Sequence, residues 1–185
     1  LKSFNLSGRA SNKKGLNTNS IQDPVAISFG ADTGKLSSLL TLYIINQEGD
    51  IFSIYPFLPT NDISASKDQF EKLLNESVML LDLAMKGESQ VCKDLAIAQL
   101  KFASTVWKSV PSSETEIRGT ENTTVVSINN FSLKDRYSIQ GPFSVQPYPE
   151  CLYDDEPVDL RTVSSGGIDF IAASFKDNGA IILLP

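Results

Sequence analysis

The most informative pattern of hydrophobic and polar positions lies in Leu40–Pro59, which reads LTLYIINQEGDIFSIYPFLP. Two runs of β-branched and aromatic residues flank Glu48-Gly49-Asp50, and this pattern is typical of a β-hairpin. Large apolar side chains fall on both sides of each run, so we expect strands that are covered on both faces.

The end of the chain has the same pattern. Ile168–Phe175 is followed by the turn residues KDNG and then by Ala180–Leu184. Gly179 can adopt the positive φ that a tight hairpin turn needs. Further short strands are predicted at Val25–Gly30, Val125–Ile128, Tyr137–Pro149 (interrupted at Gly141-Pro142) and Cys151–Tyr153.

The central part of the chain changes to helical periodicity. Two helices are predicted, over Ser66–Lys86 and Glu88–Val110, with Gly87 between them and Pro111 ending the second. The apolar positions that recur every three or four residues are Phe70, Leu73, Leu74, Val78, Leu81 and Met85 in the first helix and Val91, Leu95, Ala98, Phe102 and Val106 in the second.

Each helix also carries apolar residues outside that main face. They are Met79, Leu80 and Leu83 in the first helix and Ile97, Leu100 and Trp107 in the second. A helix with one face on a core and the other in water does not need this second strip. Two interpretations are open: the two helices are buried on more than one side, or the six residues form a protein-binding surface.

Short paired strands with one long helical interruption favour a mainly β fold, a partial β-propeller with an α-helical hairpin insertion. Residues 1–185 are predicted to be part of one propeller domain, with 66–110 as the insertion. A blade takes roughly 40 to 50 residues, so the chain supplies two or three blades of a larger protein. No WD dipeptide occurs, so the propeller is not of the WD40 type. A β-sandwich is the main rival.

Composition narrows the possible functions. The net charge of −6 and the scarcity of Lys and Arg clusters argue against direct nucleic-acid binding. No apolar run reaches the roughly 18 residues of a membrane span, so no membrane insertion is expected. Because the chain has no His, it excludes Ser-His-Asp and Cys-His catalytic sites and zinc sites with histidine ligands. We predict no catalytic residues, no metal and no cofactor.

Three segments carry a resemblance: EGDIFSIYPFLP, QGPFSVQPYP and GGIDFIAASFKDNGAIILLP. They resemble the propeller of the fungal eighty-two-kilodalton nucleoporin family, whose metazoan counterpart is the eighty-eight-kilodalton nucleoporin. The resemblance implies a non-enzymatic scaffold on the cytoplasmic side of the nuclear pore complex that anchors FG nucleoporins and supports mRNA export. The implied partners are the helical tail of a filament FG nucleoporin and the carboxy-terminal domain of a GLFG nucleoporin, with an indirect link to an mRNA-export RNA helicase.

Two alternatives stay open. The chain could be a propeller scaffold of another trafficking assembly, which would share the same scaffold chemistry. A propeller glycoside hydrolase would need paired carboxylates, and the candidates are Asp50, Asp154, Asp155, Glu156 and Asp169. These acidic residues stand next to turns and loops, where acidic residues are common in any case.

Overall fold

Three antiparallel sheets and a pair of long helices make up the described part of the chain. The computed structural model describes residues 21–111, 123–128, 138–143, 150–152, 154–165 and 168–183. The helices are α1 (Leu36–Leu39), α2 (Lys67–Lys86) and α3 (Gln90–Lys108), and Glu150–Leu152 forms a 3-10 turn. The strands are β1 (Pro24–Phe29), β2 (Leu42–Asn46), β3 (Ile51–Tyr55), β4 (Asp62–Ser66), β5 (Thr123–Ser127), β6 (Ser138–Phe143), β7 (Pro157–Ser165), β8 (Ile168–Phe175) and β9 (Gly179–Leu183).

The first sheet has the strand order β1-β2-β3-β6, and every neighbouring pair is antiparallel. The hairpin predicted at Leu40–Pro59 is confirmed as β2 and β3, with Ile44 opposite Phe52. Gly49 has φ +82° in the connecting turn, a conformation that glycine adopts without the steric cost of a Cβ. The side chain of Asn46 accepts a hydrogen bond from the backbone N–H of Asp50 at 2.7 Å, which fastens the same turn.

A three-stranded sheet, β7-β8-β9, packs against this first sheet. The predicted final hairpin is confirmed, and Gly179 has φ +92°. The shared core contains Ile45, Ile51, Leu152, Leu160, Ile171, Ala173 and Phe175. On the other face of β2 and β3, a second buried cluster contains Ile21, Leu42, Ile44, Phe52 and Ile54. The central hairpin is therefore covered on both faces, as its two-sided apolar pattern predicted.

The described residues divide into two compact units. Those within 1–33, 38–57 and 133–185 form the first unit, and those within 34–37 and 58–132 form the second. The second unit contains the two-stranded antiparallel ribbon β4-β5, in which Ile63 pairs with Val126, together with α2 and α3. The helices contact each other, and α2 also contacts β4. In the sequence, this unit falls largely between β3 and β6, which are neighbours in the first sheet.

The prediction of a mainly β fold with a pair of helices is confirmed, and none of the three described sheets closes on itself. Three strand assignments need correction. The strand predicted at Cys151–Tyr153 is wrong, because Glu150–Leu152 forms one 3-10 turn that directs Leu152 into the core. Neither β4 nor β7, which extends over nine residues, was predicted as a strand.

Strand β6 also continues through Gly141-Pro142, where an interruption was predicted. Gly141 has φ +117°, and the register against β3 shifts there, so that β6 accommodates one extra residue as a bulge. Several predicted segments lie outside the described residues: most of the amino-terminal segment 1–23, most of the loop 112–124, and residues 137 and 144–149 of the Tyr137–Pro149 strand.

Gly30 follows β1 at a point of close backbone approach, and this gives a first prediction. A Cβ on Gly30 would lie 2.0 Å from the carbonyl oxygen of Ser38, whereas a Cβ on Gly87 would meet the Ala84 carbonyl oxygen at an ordinary 3.5 Å. We expect Gly30→Ala to lower the free energy of unfolding by about 1 to 3 kcal/mol, the usual cost of overpacking. Gly87→Ala is the matched control. Amide hydrogen exchange in the full-length protein, of β1 peptides for Gly30→Ala and of α2 peptides for Gly87→Ala, measures the two effects, and equal effects would contradict the close approach.

Candidate docking surface

Helix α2 begins where the sequence supplies a complete capping box. The Ser66 hydroxyl accepts a hydrogen bond from the backbone N–H of Gln69 at 3.2 Å, and the Gln69 side chain accepts one from the Ser66 N–H at 2.9 Å. Asp68 in the first turn and Lys86 in the last turn complement the helix dipole. The start of α2 is therefore determined by local chemistry as well as by packing.

The buried residues of α2 come from its first eleven positions. Phe70 and Leu73 are buried, and so is Ser77, whose hydroxyl donates a hydrogen bond to the Leu73 carbonyl at 2.8 Å. Two residues of the predicted main face, Val78 and Met85, are exposed instead. Their assignment to the core is wrong, because they project to one flank of the stripe on which Phe70, Leu73 and Ser77 lie.

Helix α3 is capped by Ser89, which accepts a hydrogen bond from the Cys92 N–H at 3.4 Å. Its buried residues are Ala96, Phe102, Ala103 and Val106. Val91 and Ala98, which were predicted on the buried face, are exposed. The buried stripe is rotated around α3 toward Ala96 and Ala103, and this leaves Val91 and Ala98 outside it. The small side chains of the two alanines allow close contact.

The six predicted binding residues fall into two groups. Met79, Leu80 and Leu83 on α2 have 72%, 48% and 68% of their surface exposed, and Ile97 on α3 is exposed as well. Leu100 and Trp107 are only half-buried, beside the buried stripe of α3. We call Met79, Leu80 and Leu83 the docking strip. At about 100° per residue they occupy an arc of about 100° on α2.

Two ion pairs on α2 lie near the docking strip. Lys72 forms an ion pair with Asp68 at 2.7 Å, and Lys86 forms one with Asp82 at 2.6 Å, each across one helical turn. The hydrogen bond that Lys72 donates to Asp68, reinforced by the negative charge of that carboxylate, raises the pKa of Lys72. Such exposed pairs contribute little to stability. Glu76, one turn before Leu80, lies on the same side of the helix and accepts a hydrogen bond from the Ser37 hydroxyl at 2.7 Å. The strip thus presents apolar surface bordered by two ion pairs and one further carboxylate.

Sequence reasoning did not identify a second set of exposed apolar residues, which lies on the sheets of the first unit. Val25, Ile27 and Phe29 alternate along β1 and are exposed, and so are Val163 and Ile168 at the paired ends of β7 and β8. The period-two alternation in VAISFG was the available signal, since it places three apolar side chains on one face of the strand.

Two of the acidic residues that a glycoside hydrolase would need, Asp155 and Asp169, accept hydrogen bonds from other parts of the chain. The Asp155 carboxylate accepts hydrogen bonds from the β8-β9 turn, and Asp169 accepts one from the Ser38 hydroxyl. Within the described ranges, no group of three His, Cys, Asp or Glu residues is arranged to hold a metal ion. None of the described helices is long and apolar enough to cross a membrane.

Comparison with known proteins adds an observation independent of the geometry. No family model matches the chain. Over 152 residues the chain is 30% identical to nucleoporin NUP82 of Saccharomyces cerevisiae, a match that covers 78% of this chain and 19% of the relative. The chain resembles nucleoporin NUP82. It spans about a fifth of the length of that relative.

Solved structures give the same resemblance. A chain of the yeast heterotrimeric Nup82-Nup159-Nup116 nucleoporin complex matches with a TM-score of 0.70 and 26% identity, covering 96% of this chain and 37% of that one. A chain of the Chaetomium thermophilum complex of the Nup82 amino-terminal domain, the Nup159 tail and the Nup145N APD matches with a TM-score of 0.65 and 17% identity. This second match covers 95% of our chain and 36% of its counterpart, and it supports the fold alone. The resemblance to the eighty-two-kilodalton nucleoporin, predicted from three sequence segments, is confirmed.

Proposed function

We propose that this chain is part of a non-enzymatic nucleoporin that acts as a scaffold on the cytoplasmic side of the nuclear pore complex. The observation that carries the proposal is the structural match over 96% of the chain to a chain of the Nup82-Nup159-Nup116 complex. The 30% identity to NUP82 supports it independently. In this role the protein anchors FG nucleoporins and thereby supports mRNA export.

The proposed partners follow from what the similar proteins assemble with. The yeast complex contains Nup159 and Nup116 beside Nup82. By analogy, the parent protein of this chain binds the helical tail of a filament FG nucleoporin and the carboxy-terminal domain of a GLFG nucleoporin. Contact with the mRNA-export RNA helicase is indirect, through the filament nucleoporin. The net charge of −6 fits protein partners better than direct nucleic-acid binding.

We further propose that the sheets are blades of an incomplete β-propeller and that residues 66–110 are an insertion in it. The sheet β1-β2-β3-β6 is four-stranded and antiparallel, the usual form of a blade, and the helical unit falls between its third and fourth strands in the sequence. The sheet β7-β8-β9 packs on it face to face. Val25, Ile27 and Phe29 leave apolar surface on the first sheet, as expected where further sheets of a longer protein would pack. A β-sandwich would need no further sheets.

The docking strip is our proposed protein-binding site, together with Ile97 on α3. An amphipathic partner helix would bring apolar residues at i, i+3, i+4 and i+7 against Met79, Leu80 and Leu83. Leu100 and Trp107 have a different role in this proposal. Because they are half-buried, they support the strip from within the helical unit and contribute less new contact area to a partner.

The alternatives have weaker support. A scaffold in another trafficking assembly would use the same surfaces, but the similar proteins are named as nucleoporins. For a glycoside hydrolase, two carboxylates must face one sugar-binding cleft. Asp155 instead accepts hydrogen bonds from the β8-β9 turn, and Asp169 accepts one from Ser38 in α1.

Affinity purification of the full-length protein at mild salt tests the function. We expect FG nucleoporins and the export helicase to co-purify, and the helicase to be lost when the filament nucleoporin is depleted from the extract. An unrelated propeller protein, tagged in the same way, is the control for non-specific capture. Recovery of coat components in place of nucleoporins would support the trafficking alternative. Activity on a panel of glycosides would support the hydrolase and overturn the proposal.

A further inference from the structure

The turn between β8 and β9 is fastened to the segment before β7 by a small set of hydrogen bonds that we call the Asp155 clasp. The Asp155 carboxylate accepts from the backbone N–H of Asp177 at 3.0 Å and from that of Asn178 at 2.9 Å. The side-chain amide of Asn178 donates to the same carboxylate at 3.0 Å and to the Cys151 carbonyl at 2.7 Å. Asn178 is therefore held at both its backbone and its side chain.

The ionised form of Asp155 is the one that this arrangement favours. Partial desolvation is the largest single influence and raises the pKa of its carboxyl, but the hydrogen bonds from Asp177, Asn178 and Glu156 together outweigh it and lower the pKa. Charge-assisted hydrogen bonds of this kind are stronger than neutral ones. At neutral pH the clasp is closed around a carboxylate.

Asn178 is followed by Gly179, and this is the only Asn-Gly pair in the chain. An asparagine before glycine is chemically labile, because no Cβ on the following residue hinders attack by its backbone nitrogen. Here the pair lies in an exposed turn, Gly179 has φ +92°, and no atom occupies the space next to its Cα. A labile Asn-Gly pair therefore lies where solvent can reach it.

We propose that Asn178 is a deamidation site whose rate is controlled by the Asp155 clasp. The backbone nitrogen of Gly179 loses its proton and attacks the side-chain carbonyl carbon of Asn178. A carbon–nitrogen bond forms, the bond to the side-chain nitrogen breaks, and that nitrogen leaves as ammonia. Water then opens the succinimide ring to aspartate or isoaspartate. The reaction needs only water and is independent of any nucleoporin function.

The clasp slows the reaction because ring closure requires the Asn178 side chain to turn toward Gly179. While its amide donates to Asp155 and Cys151, the side chain is held in another direction. The need to break the charge-assisted bond to Asp155 alone reduces the reactive population by about tenfold. Once the product forms, residue 178 carries a carboxylate where Asn178 Nδ2 lay 3.0 Å from Asp155. Two like charges at that separation repel, and the clasp cannot close again.

Deamidation rates in the full-length protein test the proposal. Wild type, Asp155→Ala and the matched control Asp154→Ala are incubated at mildly alkaline pH, and peptide mass spectrometry measures aspartate and isoaspartate at each asparagine. We expect Asn178 to react faster than Asn61, which precedes Asp62, and about tenfold faster in Asp155→Ala than in the control. Equal rates at Asn178 and Asn61, or equal rates at Asn178 in both variants, would overturn the proposal.

Two further variants separate the clasp from loss of folding. Asp155→Asn keeps a side-chain oxygen acceptor without the charge, so its Asn178 rate should fall between those of wild type and Asp155→Ala. Asn178→Asp imitates the product, and we expect faster hydrogen exchange of the backbone amides at 177 and 178 than in Asn178→Ser, which adds no charge. Equal exchange in these two variants would show that the product does not open the clasp.

Discussion

Replacing Leu80 and Leu83 together with serine is expected to weaken binding of the proposed nucleoporin partner by about a hundredfold. Both side chains are exposed on α2 and lie within the docking strip. Burying the exposed part of each leucine against a partner is worth about 1 to 2 kcal/mol, and the sum corresponds to roughly a factor of 100 in Kd. Titration of the purified full-length protein with the partner fragments, followed by calorimetry, measures the change.

The control for this experiment uses the other flank of the same helix. Val78 and Met85 are also exposed apolar residues, but they lie outside the docking strip. Val78→Ser with Met85→Ser should leave the affinity within about threefold of wild type, since surface substitutions away from a contact have small effects. Equal losses in both double variants would mean that α2 contributes by its overall helicity, and the strip would lose its proposed role.

Local sequence chemistry predicted those parts of the fold in which neighbouring residues determine the structure. The two hairpins are examples, since Gly49 and Gly179 both have the positive φ expected of their turns. The start of α2 is another, since Ser66 and Gln69 supply the complete capping box. In each case the decisive interaction spans only a few residues, so a single sequence contains the necessary information.

The parts that were missed depend on distant residues. β6 could not be recognised as continuous, because its bulge at Gly141 is defined by the register against β3, which lies far away in the sequence. β4 consists of DISAS, which has few large apolar residues, and it forms a strand by pairing with β5. Strand propensity depends on such pairing more than on the residues themselves.

The helix that carries the docking strip also shows which features a single sequence can and cannot predict. Periodicity correctly identified helices with apolar residues on more than one face, but it assigned Val78 and Met85 to the buried face. Periodicity gives the angle of a residue around the helix and contains no information about which half of the helix is covered. In α2 the buried residues Phe70, Leu73 and Ser77 all come from the first eleven of its positions, whereas Leu81 in the second half is only half-buried.

Leu73 and Leu83 on α2 form a matched pair that tests the difference between a buried and an exposed position on the same helix. Leu73 is 1% exposed and Leu83 is 68% exposed, so the same change to alanine removes core packing at one position and only surface contact at the other. We expect Leu73→Ala to cost about 2 to 5 kcal/mol of stability in the helical unit, and Leu83→Ala about 0.5 kcal/mol or less. Because a larger protein need not unfold in one step, amide hydrogen exchange of α2 peptides is the suitable measurement.

The combination of this stability experiment with the binding experiment separates two roles that apolar helix residues can have. If Leu83 belongs to a docking surface, its replacement leaves hydrogen exchange in α2 unchanged and reduces partner binding. If Leu83→Ala accelerates exchange as much as Leu73→Ala does, the second half of α2 is covered in the full-length protein, and the strip is part of its core. The two leucines lie ten residues apart, about 15 Å along the helix, so their effects on stability should be additive.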